Sequence, residues 1–269
     1  MKRIRSIFEL GFLCLFFCAS ISAGEIHVAV AANFLGTMNE VAAQFEQTTG
    51  SHVIVSSGST GSLYAQIENG APYDIFLSAD SEATRRLESV GTAVAGSRFA
   101  YAIGKLALWS ADPKRVDQGG KVLRSSEIKH LAIPNPDIAP YGAAAQQVLQ
   151  RMGLWESLKP RLVQGESVAQ TFQFVAGGNA EAGFVAYSQV KESHNVGSCW
   201  IVPQEMYSPL EQQAVLLQRA RDNPADNLSN TCRQLRTGNR ELVTLSMIIL
   251  IASSLEPKEQ VPIRRERCI

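Results

Sequence analysis

Short apolar strands alternate with amphipathic helices along most of this chain, and this alternation limits the folds open to it. Strands are predicted at residues 26–30, 52–55, 73–77, 130–133, 161–163 and 183–187, and helices at 34–48, 63–70, 81–90, 142–152 and 168–175. The first helix shows the helical spacing clearly, with apolar Phe34, Met38 and Val41 on one face and Gly50 as its closing residue. Such alternation predicts an α/β protein whose mostly parallel sheets are covered by helices on both faces.

A longer strand-like run at residues 99–109 interrupts the pattern, which then starts again. Two strand-like runs at 200–203 and 213–217 lead back towards the first half. No repeat of fixed period and no low-complexity linker separates the halves, and 269 residues suffice for two cores. We therefore expect lobe 1 at 24–102, lobe 2 at 103–205 and a return to lobe 1 at 206–225.

The first 23 residues have the pattern of a secretory signal peptide. Lys2, Arg3 and Arg5 precede an apolar run up to Ile21, and small residues follow to Ala23. The run is too short for a comfortable membrane span, although an N-terminal membrane anchor is an open alternative. The prediction is a mature protein outside the cytoplasm, in the periplasm.

Charge and metal-ligand patterns exclude several classes of protein. Twenty-five Lys and Arg balance 25 Asp and Glu, which argues against a nucleic-acid partner because that would require a basic patch. The four histidines are scattered, and Cys199, Cys232 and Cys268 have irregular spacing. This pattern predicts no metal site, and it leaves one disulfide bridge or free thiols equally open.

Four predicted strand-to-helix turns carry small or hydrogen-bonding residues, at positions 31–34, 56–62, 134–142 and 164–168. In open parallel sheets such turns face one crevice, and helix starts offer unpaired N–H groups and a positive dipole end. Any single turn is explained better by ordinary helix capping than by a binding site, except the seven-residue Ser/Gly/Thr stretch at 56–62, which is longer than a cap requires. Together they predict a site for a small anion, two turns being contributed by each half.

None of the four turns contains Lys, Arg or His. An anion held by neutral donors must be buried and fully hydrogen-bonded. Glu166 and Asp137 are interpreted as helix-start charges that point to solvent, so no acceptor is available for the proton of a phosphate. This favours molybdate, tungstate or sulfate. An enzyme is a weaker alternative, because Asp74 and Asp80 lack an accompanying nucleophile or base.

Several ordered stretches, at residues 28–34, 58–67, 69–80, 139–142 and 183–187, carry a family resemblance. There the chain resembles the molybdate-binding proteins of ABC importers, within the type II periplasmic binding-protein fold, over roughly residues 25 to 224. The resemblance implies an α/β fold of two lobes, with an oxyanion in the cleft and no cation or other cofactor.

By position, the resemblance also implies the ligand contacts Asn33, Ser59 or Thr60, Tyr141 and Val168. Asn33 would contribute its side-chain amide and N–H, Thr60 its hydroxyl and N–H, and the other two residues their N–H groups. Many relatives have Ser at the position of Asn33 and Ala at that of Tyr141. Many also place a Tyr hydroxyl at position 186, so Tyr187 is a further candidate.

The resemblance thus implies a monomeric solute-binding protein that captures molybdate or tungstate and delivers it to the membrane permease of an ABC importer. Its mechanism would be hinge closure of the two lobes around the anion. Binding of sulfate or another oxyanion is the alternative, and catalysis on the same fold is a remote one. Residues 226–269 do not match the family's ending, and we expect this C-terminal tail to be poorly ordered or packed non-natively.

Overall fold

The computed structural model describes residues 25–193 and 196–221 of the chain. The expected signal peptide at 1–23 and the atypical tail at 226–269 lie outside these residues. No helix in the described part combines the length and apolar character needed to cross a membrane.

The first lobe begins with three strand–helix units, in which each strand is followed by a helix. These elements are β1 (Glu25–Ala31), α1 (Leu35–Thr49), β2 (His52–Gly58), α2 (Thr60–Glu68), β3 (Ile75–Ser78), α3 (Glu82–Ser89) and β4 (Phe99–Gly104). A 3-10 turn, Ala32–Phe34, connects β1 to α1. Gly50 ends α1 in the left-handed conformation, as its position predicted.

The second lobe repeats this organisation before the chain returns to the first. Its elements are β5 (Leu106–Ser110), β6 (Leu131–Pro134), α4 (Pro140–Arg151), α5 (Trp155–Leu158), β7 (Leu162–Gly165), α6 (Val168–Ala176), β8 (Ala182–Ala186), α7 (Tyr187–Glu192) and β9 (Ser198–Ile201). The returning strand is β10 (Leu210–Leu216).

Within the described residues, each lobe contains one five-stranded sheet, ordered β2-β1-β3-β10-β4 in the first and β7-β6-β8-β5-β9 in the second. Strand β1 is parallel to β2 and β3, and β6 is parallel to β7 and β8. The two-lobed α/β fold and its parallel strand–helix units are confirmed. The sheets are mixed rather than mostly parallel, because β10 and β5, which join the lobes, pair antiparallel with their neighbours.

Two expectations about strands are corrected. The run at residues 99–109 is two strands separated at Lys105, because the chain changes sheets there. The strand predicted to reach Tyr187 ends at Ala186, and Tyr187 begins α7. The N–H of Tyr187 donates to the carbonyl of Lys105 at 2.9 Å, which holds this turn against the crossing.

Both faces of each sheet are buried, as the strand–helix alternation predicted. In β1, Val28 and Val30 pack on one side of the sheet with the α1 residue Met38, while Ala29 packs on the other with Leu63 of α2. Such alternation follows from the two-residue period of a strand. Each large apolar side chain removed from water contributes about 1.5–3 kcal/mol. The carboxyl ends of the strands are thereby held in fixed positions along the cleft.

Candidate oxyanion-binding site

The four predicted turns meet at one small cavity between the lobes. It is lined by Ala31, Ala32, Asn33, Gly58, Ser59, Thr60, Ala79, Ala139, Pro140, Tyr141 and Val168. Its volume is ≈ 10 Å³, close to the roughly 10–15 Å³ that one enclosed water molecule needs. The site is therefore suited to a compact ligand rather than to an organic molecule.

The cavity is surrounded by helix starts because each turn links the carboxyl end of a strand to the next helix. Thr60 and Val168 are the first residues of α2 and α6, and Tyr141 is the second of α4, after Pro140. The first four N–H groups of a helix have no acceptor within it, and the start of the helix is the positive end of its dipole. Three α-helices and the 3-10 turn after β1 thus present donors suited to an anion.

The helix-start serines act as caps, which fixes the direction of the free N–H groups. The hydroxyl oxygen of Ser59 accepts the N–H of Ser62 at 3.3 Å, and that of Ser167 accepts the N–H of Gln170 at 3.3 Å. Ser59 also donates its hydroxyl proton to Ser62 Oγ at 2.7 Å. The side chain of Ser59 is therefore already occupied at the start of α2.

Thr60 has the opposite arrangement and keeps its hydroxyl proton available. Its Oγ1 accepts the backbone N–H of Ala79 at 3.0 Å, and the side chain is buried. A hydroxyl can accept and donate at the same time. Thr60 is therefore the stronger side-chain donor candidate of the two.

Asn33 is the other buried polar side chain that enters the site. Its residue is 3% exposed, and its Nδ2 donates to Gln212 Oε1 of β10 at 2.9 Å. Its Oδ1 is buried and has no hydrogen-bond partner in the part of the chain that the structure describes. The Asn33 carbonyl accepts the hydroxyl of Ser188, in the second lobe, at 3.1 Å. The Asn33 segment thus contacts both lobes.

No charged residue is among those that line the cavity. Glu166 and Asp137 are exposed, in agreement with the interpretation of the sequence. Asp80, just beyond the cavity residue Ala79, is largely buried, and this burial raises the pKa of its carboxyl group. Neutral donors alone would have to offset the desolvation of an anion, which requires several well-placed hydrogen bonds.

The lobes are closed over the cavity. The N–H of Gly61, at the start of α2, donates to the carbonyl of Ile138 in the second lobe at 2.8 Å. Beside the Ser188 contact, Thr37 of α1 lies 3.5 Å from a carboxylate oxygen of Glu192 in α7. An enclosed ligand would therefore be released only when these contacts open.

The structure brings together five of the six residues considered from the sequence, namely Asn33, Ser59, Thr60, Tyr141 and Val168. Tyr187 is not among the residues that line the cavity, and its ring lies 5.7 Å from Lys191 Nζ. Ala79 and Gln212 were not considered. Ala79 follows a predicted strand, as the other turns do, whereas Gln212 carries no such signal.

The two carboxylates weighed for an enzyme do not form a pair. Asp74 precedes β3 and Asp80 follows it, so they lie at opposite ends of the strand. Asp74 is buried and accepts the N–H of His27 at 2.8 Å, which is a structural contact. Within the described residues, no group of three or more His, Cys, Asp or Glu could hold a metal ion.

Two α/β lobes closed over a small cavity with neutral donors define a solute-binding protein. The family model for bacterial extracellular solute-binding proteins matches residues 26–227. Within this class, the chain belongs to the family of the molybdate-binding protein ModA. It is 55% identical to ModA of Azotobacter vinelandii over 210 residues, which are 77% of this chain and 83% of the relative. ModA of Rhodobacter capsulatus is 49% identical, with 76% and 80% covered.

The fold agrees with this relationship. The solved structure of the Azotobacter vinelandii periplasmic molybdate-binding protein superposes with a TM-score of 0.72 at 42% identity. The match covers 84% of this chain and 97% of that one. These relatives are named as binding proteins.

Proposed function

We propose that this protein captures molybdate in the periplasm and delivers it to the membrane permease of an ABC importer, with tungstate as a second ligand. The observation that carries the proposal is the small cavity between the lobes on which three α-helix starts and the 3-10 turn after β1 converge. The names of the related proteins support molybdate as the ligand. We propose further that it acts as a monomer and that Asn33, Thr60, Tyr141 and Val168, with the backbone of Ser59, surround the anion.

The chemistry of the lining favours a fully ionised tetrahedral dianion. N–H groups and hydroxyls donate to all four oxygens of such an ion without any need for a base. Hydrogen phosphate would bring a proton that needs an acceptor, and no carboxylate lines the cavity. Among the oxyanions, molybdate and tungstate are larger than sulfate because their metal–oxygen bonds are longer.

The two-lobed geometry supports a role in delivery. An open form would bind the anion on one lobe, and the second lobe would then add its own helix starts. Contacts to both lobes give the ligand a higher affinity for the closed form, and this difference shifts the population towards closure. The closed surface would then be the form that the permease recognises.

Thermal unfolding with molybdate, tungstate, sulfate or phosphate at matched ionic strength tests the ligand. A ligand that binds only the native state stabilises it by about 2.7 kcal/mol at a hundred times its Kd. We expect a large rise of Tm with molybdate and tungstate and none with phosphate. No response to any of the four anions would refute oxyanion binding.

Sulfate is the second candidate, and the small cavity volume of ≈ 10 Å³ favours it. A rise of Tm with sulfate that exceeds the rise with molybdate would assign the site to the smaller anion. The same experiment therefore separates the two candidates.

A further inference from the structure

A series of three hydrogen-bonded, buried side chains runs from the cavity to β10, the strand that returns to the first lobe. Asn33 Nδ2 contacts Gln212 Oε1 at 2.9 Å, and Gln212 Nε2 contacts the hydroxyl of Tyr141 at 3.4 Å. Gln212 is 4% exposed and Tyr141 is 2% exposed. Two of these residues, Asn33 and Tyr141, line the cavity, whereas Gln212 lies behind them on β10. These three side chains therefore connect both lobes beneath the site.

With the amides in this orientation, the hydrogen bonding of the three side chains is incomplete. Asn33 Oδ1 is buried without a partner among the described residues, which is unfavourable for a polar atom. Asn33 lines the cavity, and an oxygen atom turned towards a bound anion would repel it. Turning the terminal amides of Asn33 and Gln212 by 180° exchanges their oxygen and nitrogen atoms and leaves the side chains in the same space. Asn33 then places its NH₂ group at the unpartnered position.

In this second orientation the three side chains form a continuous series of hydrogen bonds, and its last donor is paired when a ligand binds. The hydroxyl of Tyr141 donates to Gln212 Oε1, Gln212 Nε2 donates to Asn33 Oδ1, and Asn33 Nδ2 is free to donate to the ligand. Burial raises the pKa of the Tyr141 hydroxyl, so it keeps the proton that it must donate. Donors linked in series polarise one another, which strengthens the last hydrogen bond.

We propose that Gln212 is a positioning residue for oxyanion binding, which acts through Asn33 by fixing the side-chain amide so that its NH₂ group faces the anion. The inference rests on the proposed oxyanion-binding function and adds the residue that orients one of its donors. It also gives the side chain of Tyr141 a role separate from that of its backbone N–H.

Gly104, just before the polypeptide crosses between the lobes, leaves room for the side chains of Gln212 and Tyr141. A Cβ atom at Gly104, the last residue of β4, would clash with the Tyr141 hydroxyl and lie 2.8 Å from Gln212 Nε2. No side chain fits there unless the tyrosine or the glutamine moves. The absence of a side chain at Gly104 thus permits Gln212 and Tyr141 to meet.

The test measures the Kd for molybdate by calorimetry in the full-length protein and in Gln212→Leu, Asn33→Ala and the double variant. Gln213→Leu is the matched control, because Gln213 is a buried glutamine on the same strand that contacts Thr84 and Arg98 instead. Tyr141→Phe removes the far end of the series but keeps the backbone N–H. Ligand-free Tm values report the stability of each variant.

We expect Gln212→Leu to weaken binding about tenfold to a hundredfold, the effect of losing a hydrogen bond to a charged group. Tyr141→Phe should weaken it about twofold to tenfold, because a neutral hydrogen bond is lost. Gln213→Leu should lower Tm without a comparable change in Kd. In the Asn33→Ala background, Gln212→Leu should change Kd less than about twofold, since the residue through which it acts is gone.

If Gln212→Leu lowered the affinity for molybdate equally in the wild-type and the Asn33→Ala backgrounds, the inference would be overturned. Gln212 would then act by packing or closure alone. Unchanged affinity of Gln212→Leu in the wild-type background would also overturn it. Both results leave the proposed function intact. A wild-type protein that does not bind molybdate would refute the proposed function itself, and this inference with it.

Discussion

Thr60 shows how a neutral side chain can offer a donor to the proposed anion site. Its Oγ1 accepts the N–H of Ala79, so the hydroxyl proton is left for a ligand. The acceptor role fixes the rotamer, and no Lys or Arg has to be buried. Binding strength is then set by the number of donors and by how completely water is excluded.

Thr60→Val tests this arrangement, because valine keeps the shape of the side chain and removes the hydroxyl. We expect the Kd for molybdate to rise about tenfold to a hundredfold, as for loss of a hydrogen bond to a charged group. The unpaired N–H of Ala79 should also cost about 1–3 kcal/mol of folding stability. Calorimetry and denaturant unfolding measure the two effects separately.

Thr60→Ser is the matched control, since it retains the hydroxyl and should stay within about threefold of the wild-type affinity. Full affinity in Thr60→Val would show that the hydroxyl does not contact the ligand.

The sequence identified most of the candidate site, because its residues lie in short turns that can be read locally. Asn33 lies just before α1, and Thr60, Tyr141 and Val168 lie in the first turns of α2, α4 and α6. Gln212 could not be found in this way. It lies inside a strand 179 positions from Asn33, and only the pairing of β10 in the sheet brings the two together.

At the scale of elements, the start of α2 forms a close backbone contact between the lobes. Gly61 donates its N–H to the carbonyl of Ile138, and a Cβ atom there would lie 2.9 Å from the Cα of Ile138. Backbone cannot move aside as a flexible side chain can. Glycine at this position therefore allows the β6–α4 turn to close against α2.

Gly61→Ala should weaken molybdate binding about tenfold to a hundredfold, since overpacking of a close contact costs roughly 1–3 kcal/mol. The ligand-free protein should keep its Tm or gain slightly, because alanine favours the helix and the lobes can stay apart. Calorimetry with parallel thermal unfolding checks both expectations.

Gly36→Ala is the comparison, because the Cβ atom there would meet only the end of the Glu192 side chain, which can move. We expect a change in Kd below about threefold for that variant. Equal changes in Kd for the two substitutions would contradict a close contact between the lobes at Gly61.

Strand–helix alternation predicted the elements well because local periodicity determines them. The division at Lys105 and the short helix α7 were missed. The residues on both sides of Lys105 are equally strand-like, and only the separation of the two sheets divides them. Tyr187 extends an apolar run, but its N–H is bound by the Lys105 carbonyl and the chain turns into α7.

Across the whole molecule, α7 of the second lobe meets the start of α1 of the first. The Glu192 carboxylate lies near Gly36 and Thr37, and its pKa is raised chiefly by partial loss of hydration at this contact and also by the nearby charge of Glu40. The hydrogen bond from Thr37 offsets part of this rise. Ionised Glu192 therefore opposes the closed arrangement slightly.

The sign of the pH effect follows from linkage. A folded-state pKa above the ordinary value of 4.5 means that the folded protein binds the proton more tightly than the unfolded chain. The wild type should therefore gain stability relative to Glu192→Gln as the pH falls from about 7 towards 4.5. We expect less than about 1 kcal/mol, because the residue is exposed and partly screened.

Tm differences between the two proteins across this range are the measurement, and Glu40→Gln should reduce the wild-type trend. A difference that stays flat with pH, or that grows in the opposite direction, would contradict the assignment to Glu192.

The position of β10 has a consequence for how the protein is made. All five strands of the second sheet lie between Leu106 and Ile201, so that lobe can fold as one continuous stretch. In the first sheet, β10 is the only described strand that pairs with β4, and β3 has an open edge until β10 arrives. Pairing across such a long loop is slow. A chain emerging amino end first therefore completes its second lobe before its first, and until then it has an unpaired strand edge to shield.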